Sequence, residues 1–204
     1  MLGGRFSVLD WSTCDDKLLV GYAQKGQTRA FSELVRRHQV RIFHTAFGMV
    51  GNREDADDLA QIAFVKAFQS LDKFKGKSLF STWLYRISIN CCLDWIKSQQ
   101  RKYDVKMDDE WWRRQADDEA LFAGPERTDY RVEQSELRDV LAHAMAQMPP
   151  IFRSVLVLRE LNGLSYQEIA SVEGCSVGTV KSRLFRARAQ LRKLLRPFYK
   201  ALVA

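Results

Sequence analysis

The stretch "GCSVGTVKSRLFRAR", Gly174 to Arg188, spaces Lys181, Arg183, Arg186 and Arg188 among hydroxyls and one phenylalanine. Cations and hydroxyls on one exposed helix can reach the acceptor atoms of guanine or the phosphates of a duplex, and a ring such as Phe185 can meet a thymine methyl. The residues Val177, Val180, Leu184, Ala187 and Leu191 recur at helical intervals and so form a stripe that must be buried. Thr179, Lys181, Ser182, Phe185 and Arg186 are left facing outward, with Arg183 at the edge of that face. This is a helix built to press its polar side against a polyanion.

The elements that hold such a helix are legible just upstream. Ser165 and Glu168 in "SYQE" have the spacing of a capping box, in which each side chain satisfies the other's backbone N–H. A short helix to Glu173 follows, Gly174 permits a left-handed turn, and Ser176 caps the helix that runs from Val177 towards Arg196. The pair is a helix-turn-helix. Before it, Pro149-Pro150 ends one helix and opens another, "PIFRSVLVLREL", which Asn162-Gly163 terminates.

The first half of the chain is helical as well. From Thr28, the residues Phe31, Leu34, Val35, His38, Ile42, Ala46 and Phe47 share one stripe that ends at Gly51-Asn52. Asn52 is the expected cap of "REDADDLAQIAFVKAFQSL", whose acidic first turns suit the positive end of a helix dipole. A loop, "DKFKGKSLF", leads into a helix starting near Ser81 and ending in basic residues around Lys97 to Lys102. Trp83 and Tyr85 on that helix read as packing residues. The expected fold is all-α, with two small helical domains joined by an acidic flexible linker. The boundaries are 1–15 for an N-terminal extension, 16–103 for the first domain, 104–129 for the linker and 130–204 for the second.

Charge supports that division. Residues 1–27, 28–103, 104–129 and 130–204 carry net charges of 0, +6, −5 and +6 within a total of +7. Two basic modules that each face a polyanion, separated by a segment that does not, fit this pattern. The start, "MLGGRFSVLDWSTCDD", has no signal-peptide pattern and no run of 18 apolar residues occurs, so the chain is expected in the cytoplasm. Four cysteines without a CxxC pair, and three histidines, offer no metal-ligand spacing and read as buried thiols and helix residues. No Walker loop or nucleophile elbow is present, so no catalytic residue, cofactor, metal or small-molecule substrate is expected.

Two blocks, "AFSELVRRHQVRIF…EDADDLAQIAFVKAFQSLDKFKGKSLFSTWLYRISIN" and "MPPIFRSVLVLRELNGLSYQEIASVEGCSVGTVKSRLFRARAQL", in this order and with an acidic linker between, resemble the extracytoplasmic-function sigma factors of the sigma-70 family. The resemblance covers residues 16 to about 196. It implies that the first domain is sigma domain 2, which holds core RNA polymerase and melts the −10 element, and that the second is sigma domain 4, which reads the −35 element. The −35 contacts implied are Lys181, Ser182, Phe185 and Arg186, positions that the periodicity also turns outward. For −10 recognition the resemblance implies a pocket for a flipped base from Phe74, Lys75 and Lys77 of the loop with Ile87 and Asn90 of the following helix. An apolar wall and an amide there can recover the unstacking cost.

Polymerase docking is implied for Asp55, Asp58 and Gln61, with Phe64 and Val65 as apolar anchors. Ile62 stands where the family usually has Glu, and Asp94 is acidic where DNA would favour a polar or basic group. An anti-sigma factor is the further partner implied, and it would be the route by which the chain is held at a membrane. The alternative, a stand-alone dimeric helix-turn-helix regulator, leaves residues 28–103 without a role.

Overall fold

The computed structural model describes residues 10–104 and 140–203, and every regular element among them is helical. The order is a 3-10 turn Trp11–Thr13, α1 (Asp16–Gln24), α2 (Thr28–Val50), α3 (Arg53–Gln69), a 3-10 turn Leu71–Lys73 and α4 (Phe80–Asp104). After these come α5 (140–146), α6 (Pro150–Leu156) running into a π turn Val157–Leu161, α7 (Tyr166–Glu173) and α8 (Val177–Val203). Most of the expected acidic linker and the start of the second unit near residue 130 lie outside the described residues. No helix among the described residues is long and apolar enough to cross a membrane.

In the first unit, α2 and α3 form a hairpin on which α1 and α4 pack. Gly51 turns the corner at φ 82°, a conformation that favours glycine, and the Asn52 side chain accepts from Asp55 N at 2.9 Å. Phe31, Leu34, His38, Ile42 and Ala46 face the core as their spacing requires. The helix α1 is an addition to the sequence reading. Asp15 caps it, and Asp16 reaches Arg37 at 3.0 Å and His38 at 2.7 Å on α2. Arg37 also donates to the carbonyls of Trp11 and Ser12, so residues 10–14 of the expected extension are fastened onto α2. Cys91 and Cys92 are buried free thiols, and burial pushes Cys92 up to about 12.

In the second unit the capping box forms, with Glu168 accepting from both Ser165 N and its hydroxyl. Gly174 adopts φ 65° and Ser176 Oγ accepts from Thr179 N, completing the helix-turn-helix. Two boundaries differ from the sequence reading. The helix expected over 150–161 widens into a π turn after Leu156, and α8 continues through Pro197 to Val203 because Leu191 and Leu194 carry its apolar stripe along the core.

The two units touch. The π turn lies against α2, and α7 lies against α4. Gly48, inside α2, sits so close to the π turn that an added Cβ would lie 2.8 Å from Val157 Cγ2 and 2.9 Å from Leu161 Cδ1. Arg153, only 5% exposed, donates to the carbonyls of Met49, Ala146 and Met148. Burial lowers its guanidinium to about 10, which still leaves it charged at neutral pH.

Candidate nucleic-acid interface

The polar face of α8 is held outward by the burial of the opposite face. Val180, Leu184 and Ala187 are fully enclosed against α6 and α7, which rotates Lys181, Ser182, Phe185 and Arg186 into solvent. Phe185 is 76% exposed, the most exposed large apolar side chain among the described residues. Its ring stands in solvent on the same side of the helix as Lys181, Ser182 and Arg186. Thr179 is half-buried, and its hydroxyl is engaged with Ser176 at 2.9 Å, so it serves the cap more than the outer face. Arg183 does not join the reading face. It turns back to Glu173 at 3.2 Å, and Arg188 pairs with Glu160 at 2.7 Å.

Burial raises the Glu173 carboxyl above its ordinary value, with the nearby Ser154 hydroxyl and then Arg183 opposing that shift. A cleft of about 460 Å³ opens beside Lys181, lined by Arg159, Ser165, Tyr166, Gln167 and Val177. Arg159 stands over the Tyr166 ring at 5.2 Å and donates to Leu164 O at 2.8 Å. The sequence reading missed Arg159, Tyr166 and Gln167. Only the fold brings Arg159 and the first turn of α7 beside Lys181.

The second face is built differently. Phe74 is half-buried, tilted on Trp83 at 5.0 Å and edge-on to Phe80 at 6.1 Å. Gln24 on α1 donates to the carbonyls of Leu71 and Phe74, both at 2.9 Å, and so pins the loop base. Lys75 and Lys77 project from the loop on either side of Gly76, and Leu79 is exposed at its end. On α4, Asn90 is exposed and Ile87 half-buried, while Tyr85 is buried and Trp83 packs, as the sequence reading expected. The exposed stripe of α4 runs through Arg86, Asn90, Asp94 and Lys97.

The third face is α3. Asp58, Gln61 and Val65 are exposed, Val65 by 55%. Phe64 is a correction to the sequence reading. At 9% exposure it belongs to the core, one residue away from the outward stripe, and it cannot anchor a partner. Asp55 is half-buried, with its carboxylate held by Asn52 Nδ2 at 2.6 Å as part of the cap. Ile62, 44% exposed, and Phe68 are outward apolar groups that the sequence reading did not assign, as is Val40 across the α2–α3 cleft.

Comparison with known proteins matches residues 34–102 to Sigma-70 region 2 and residues 138–191 to Sigma-70, region 4. The RNA polymerase sigma-H factor of Pseudomonas aeruginosa is 40% identical over 188 residues, covering 89% of this chain and 94% of that protein. The ECF RNA polymerase sigma-E factor of Escherichia coli K12 is 35% identical over 182 residues, covering 89% and 95%. Among solved structures, CnrH in complex with the cytosolic domain of CnrY superposes with a TM-score of 0.62 at 31% identity, covering 89% of this chain and 97% of that one. The sigma factor RpoE in complex with the anti-sigma factor NepR from Bartonella quintana gives 0.58 at 25% identity, covering 81% and 96%.

Proposed function

Since the chain belongs to the extracytoplasmic-function sigma factors of the sigma-70 family and is an RNA polymerase sigma factor, we propose the division of labour among its three faces. The α8 face reads the −35 element, with Arg186 and Lys181 reaching base acceptors or phosphates, Ser182 a hydrogen-bonding partner and Phe185 an apolar contact. Thr179 closes the near end of that face. Arg159, Tyr166 and Gln167 at the start of α7 seat the adjoining phosphates. The loop and α4 capture a −10 base, with Asn90 offering donor and acceptor, Ile87 an apolar wall, and Lys75 and Lys77 neutralising the displaced strand. Phe74 shapes that pocket from below.

Core polymerase docks on α3 through Asp58 and Gln61, with Val65 and Ile62 as the apolar contacts, and Asp55 maintains the helix start. The polymerase performs the chemistry and this chain supplies specificity, which fits a cytoplasmic protein. The similar sigma factor RpoE is held by the anti-sigma factor NepR, and such a partner is the proposed silencer here and the route to a membrane. The observation that carries the reading is the exposed Phe185 among cations on a helix whose other side buries Val180, Leu184 and Ala187.

The test is promoter-dependent initiation by the purified protein with core polymerase. Asp58→Arg abolishes co-purification with core while binding to a −35 duplex is kept. Loss of both activities in a folded variant would instead support a dimeric regulator without a polymerase partner.

A further inference from the structure

Gln24 ends α1 and reaches the loop that the proposed function places at the −10 element. Its side-chain amide donates to two backbone carbonyls, Leu71 O and Phe74 O, both at 2.9 Å. Both partners are acceptors, so the amide nitrogen must face the loop, with one hydrogen for each carbonyl. The two carbonyls bracket the 3-10 turn Leu71–Lys73, whose closing bond from Phe74 N to Leu71 O is 3.0 Å. An exposed glutamine at a helix end has water as an alternative partner. Holding two acceptors that lie 47 and 50 residues away immobilises a side chain otherwise free to rotate.

What this fork fixes is the peptide from which the loop departs. Phe74 O belongs to the peptide joining Phe74 to Lys75, so holding it sets the plane in which Lys75 leaves the turn. The Phe74 ring alone does not set that plane. It rests on Trp83 and Phe80 of α4 through apolar contact, which resists separation but is not directional. Ring and carbonyl of one residue are thus held by two different helices, α4 and α1, and together they stop the loop from swivelling. Beyond the fork the chain turns in open space. Gly76 has φ 66°, nothing lies within 4 Å of a Cβ built there, and the Ser78 hydroxyl bonds its own neighbour, Leu79 O.

Helix α1 can serve as a fixed point because its other end is clamped. Asp15 caps it, Asp16 pairs with Arg37 and His38 of α2, and Leu19, Val20 and Ala23 are buried between. The His38 ring lies 5.5 Å from that of Phe80, so the same clamp backs the platform on which Phe74 rests. Ile87 and Asn90 ride on α4 with that platform, whereas Lys75 and Lys77 ride on the loop. The spacing between these two halves is therefore set where the loop leaves its turn.

We propose that Gln24 is a positioning residue for selection of the −10 base: through the Leu71 and Phe74 carbonyls it holds Lys75 and Lys77 in register with Ile87 and Asn90. It acts through the loop backbone and not on the base. The proposal rests on the −10 assignment above.

The test compares Gln24→Met, neutral and of similar length but without a donor, with Gln24→Lys, whose ammonium restores donors to both carbonyls. Each full chain is assembled with core polymerase. Binding is measured to a single-stranded DNA that the parent holoenzyme selects from a randomised pool, and to single-base variants of that DNA. Gln24→Met should lower the ratio of selected to variant affinity about fivefold, the weight of one net hydrogen bond, while −35 duplex binding and core assembly are kept. Gln24→Lys should return the ratio to that of the parent, which a mere loss of packing at this position would not allow. A ratio that Gln24→Met leaves unchanged, a fall that Gln24→Lys does not reverse, or a parallel loss of −35 duplex binding overturns the positioning role and leaves the −10 assignment standing. A parent holoenzyme that selects no single-stranded sequence overturns that assignment and the positioning role with it.

Discussion

The outward face of α8 and the loop face at 74–77 use the same materials, cations beside a phenylalanine, yet their rings are placed oppositely. Phe185 is 76% exposed and touches no core, whereas Phe74 is wedged on Trp83 and Phe80. On α8 the buried stripe fixes which side chains face out, so recognition groups add little to stability. In the loop the backbone has no repeat to enforce a direction, and its shape depends on a ring turned inward and on Gln24 reaching across from α1. A helix can separate folding from recognition by angle. A loop must use one residue for both.

The sharpest way to break that contrast is to remove both rings. Phe74→Ala should lower stability by about 2 kcal/mol, since it deletes a half-buried aromatic with two ring partners, and should weaken −10 strand binding as the loop loses its base. Phe185→Ala should leave the denaturation midpoint within about 0.5 kcal/mol of the parent while −35 affinity drops. Chemical denaturation alongside binding to single-stranded −10 and duplex −35 probes checks both. If the two variants lose equal stability, the separation of folding from recognition on α8 is wrong.

Arg186→Ala comes next, with an expected loss of about 1–3 kcal/mol in −35 duplex binding and a relaxed preference on a panel of −35 base changes. Specificity unchanged on that panel would move recognition away from this face. On the loop side, Lys75→Ala and Lys77→Ala should act without base preference, each lowering the salt slope of single-strand binding by about 0.7. A base-dependent effect of either lysine would mean that the loop reads as well as holds.

The same contrast explains what could be read in advance. Helices with long stripes, the Gly51-Asn52 corner, the Ser165–Glu168 box and the Gly174 turn are local patterns, and each appears where its residues require. Phe64 was misplaced because adjacent positions on a helix differ by about 100°, so a run of apolar residues at 62–65 does not itself say which ones face in. Helix α1 escaped notice because it covers only 16–24 and is anchored by Arg37 and His38 from a distant segment. The periodicity leaves Arg183 at the edge of the reading face because only the fold brings Glu173 within its reach. The contact between units was illegible for the same reason, although Gly48 marked it as a glycine in an otherwise well-patterned helix.

Glu173 offers the smallest and most discriminating test of how α8 is held. Its carboxylate fixes Arg183 and so ties the reading helix to the end of α7, yet it is buried. Burial is the larger influence and raises the carboxyl above 4.5, its ordinary value, so the folded chain keeps a proton at pH values where the unfolded chain has lost it. Stability contributed by this group is therefore greatest below the unfolded value and declines as pH rises through the folded value. Glu173→Gln removes that decline. The stability of the variant relative to the parent should rise between about pH 4 and pH 7. At pH 7 the net difference should stay within about 1 kcal/mol, because the lost pair with Arg183 and the relieved desolvation oppose each other. Denaturant titrations of both proteins across that range measure the gap. If it is flat or narrows with pH, Ser154 and Arg183 together outweigh burial at this site, and the pair is a firm strut that holds the reading helix at every pH.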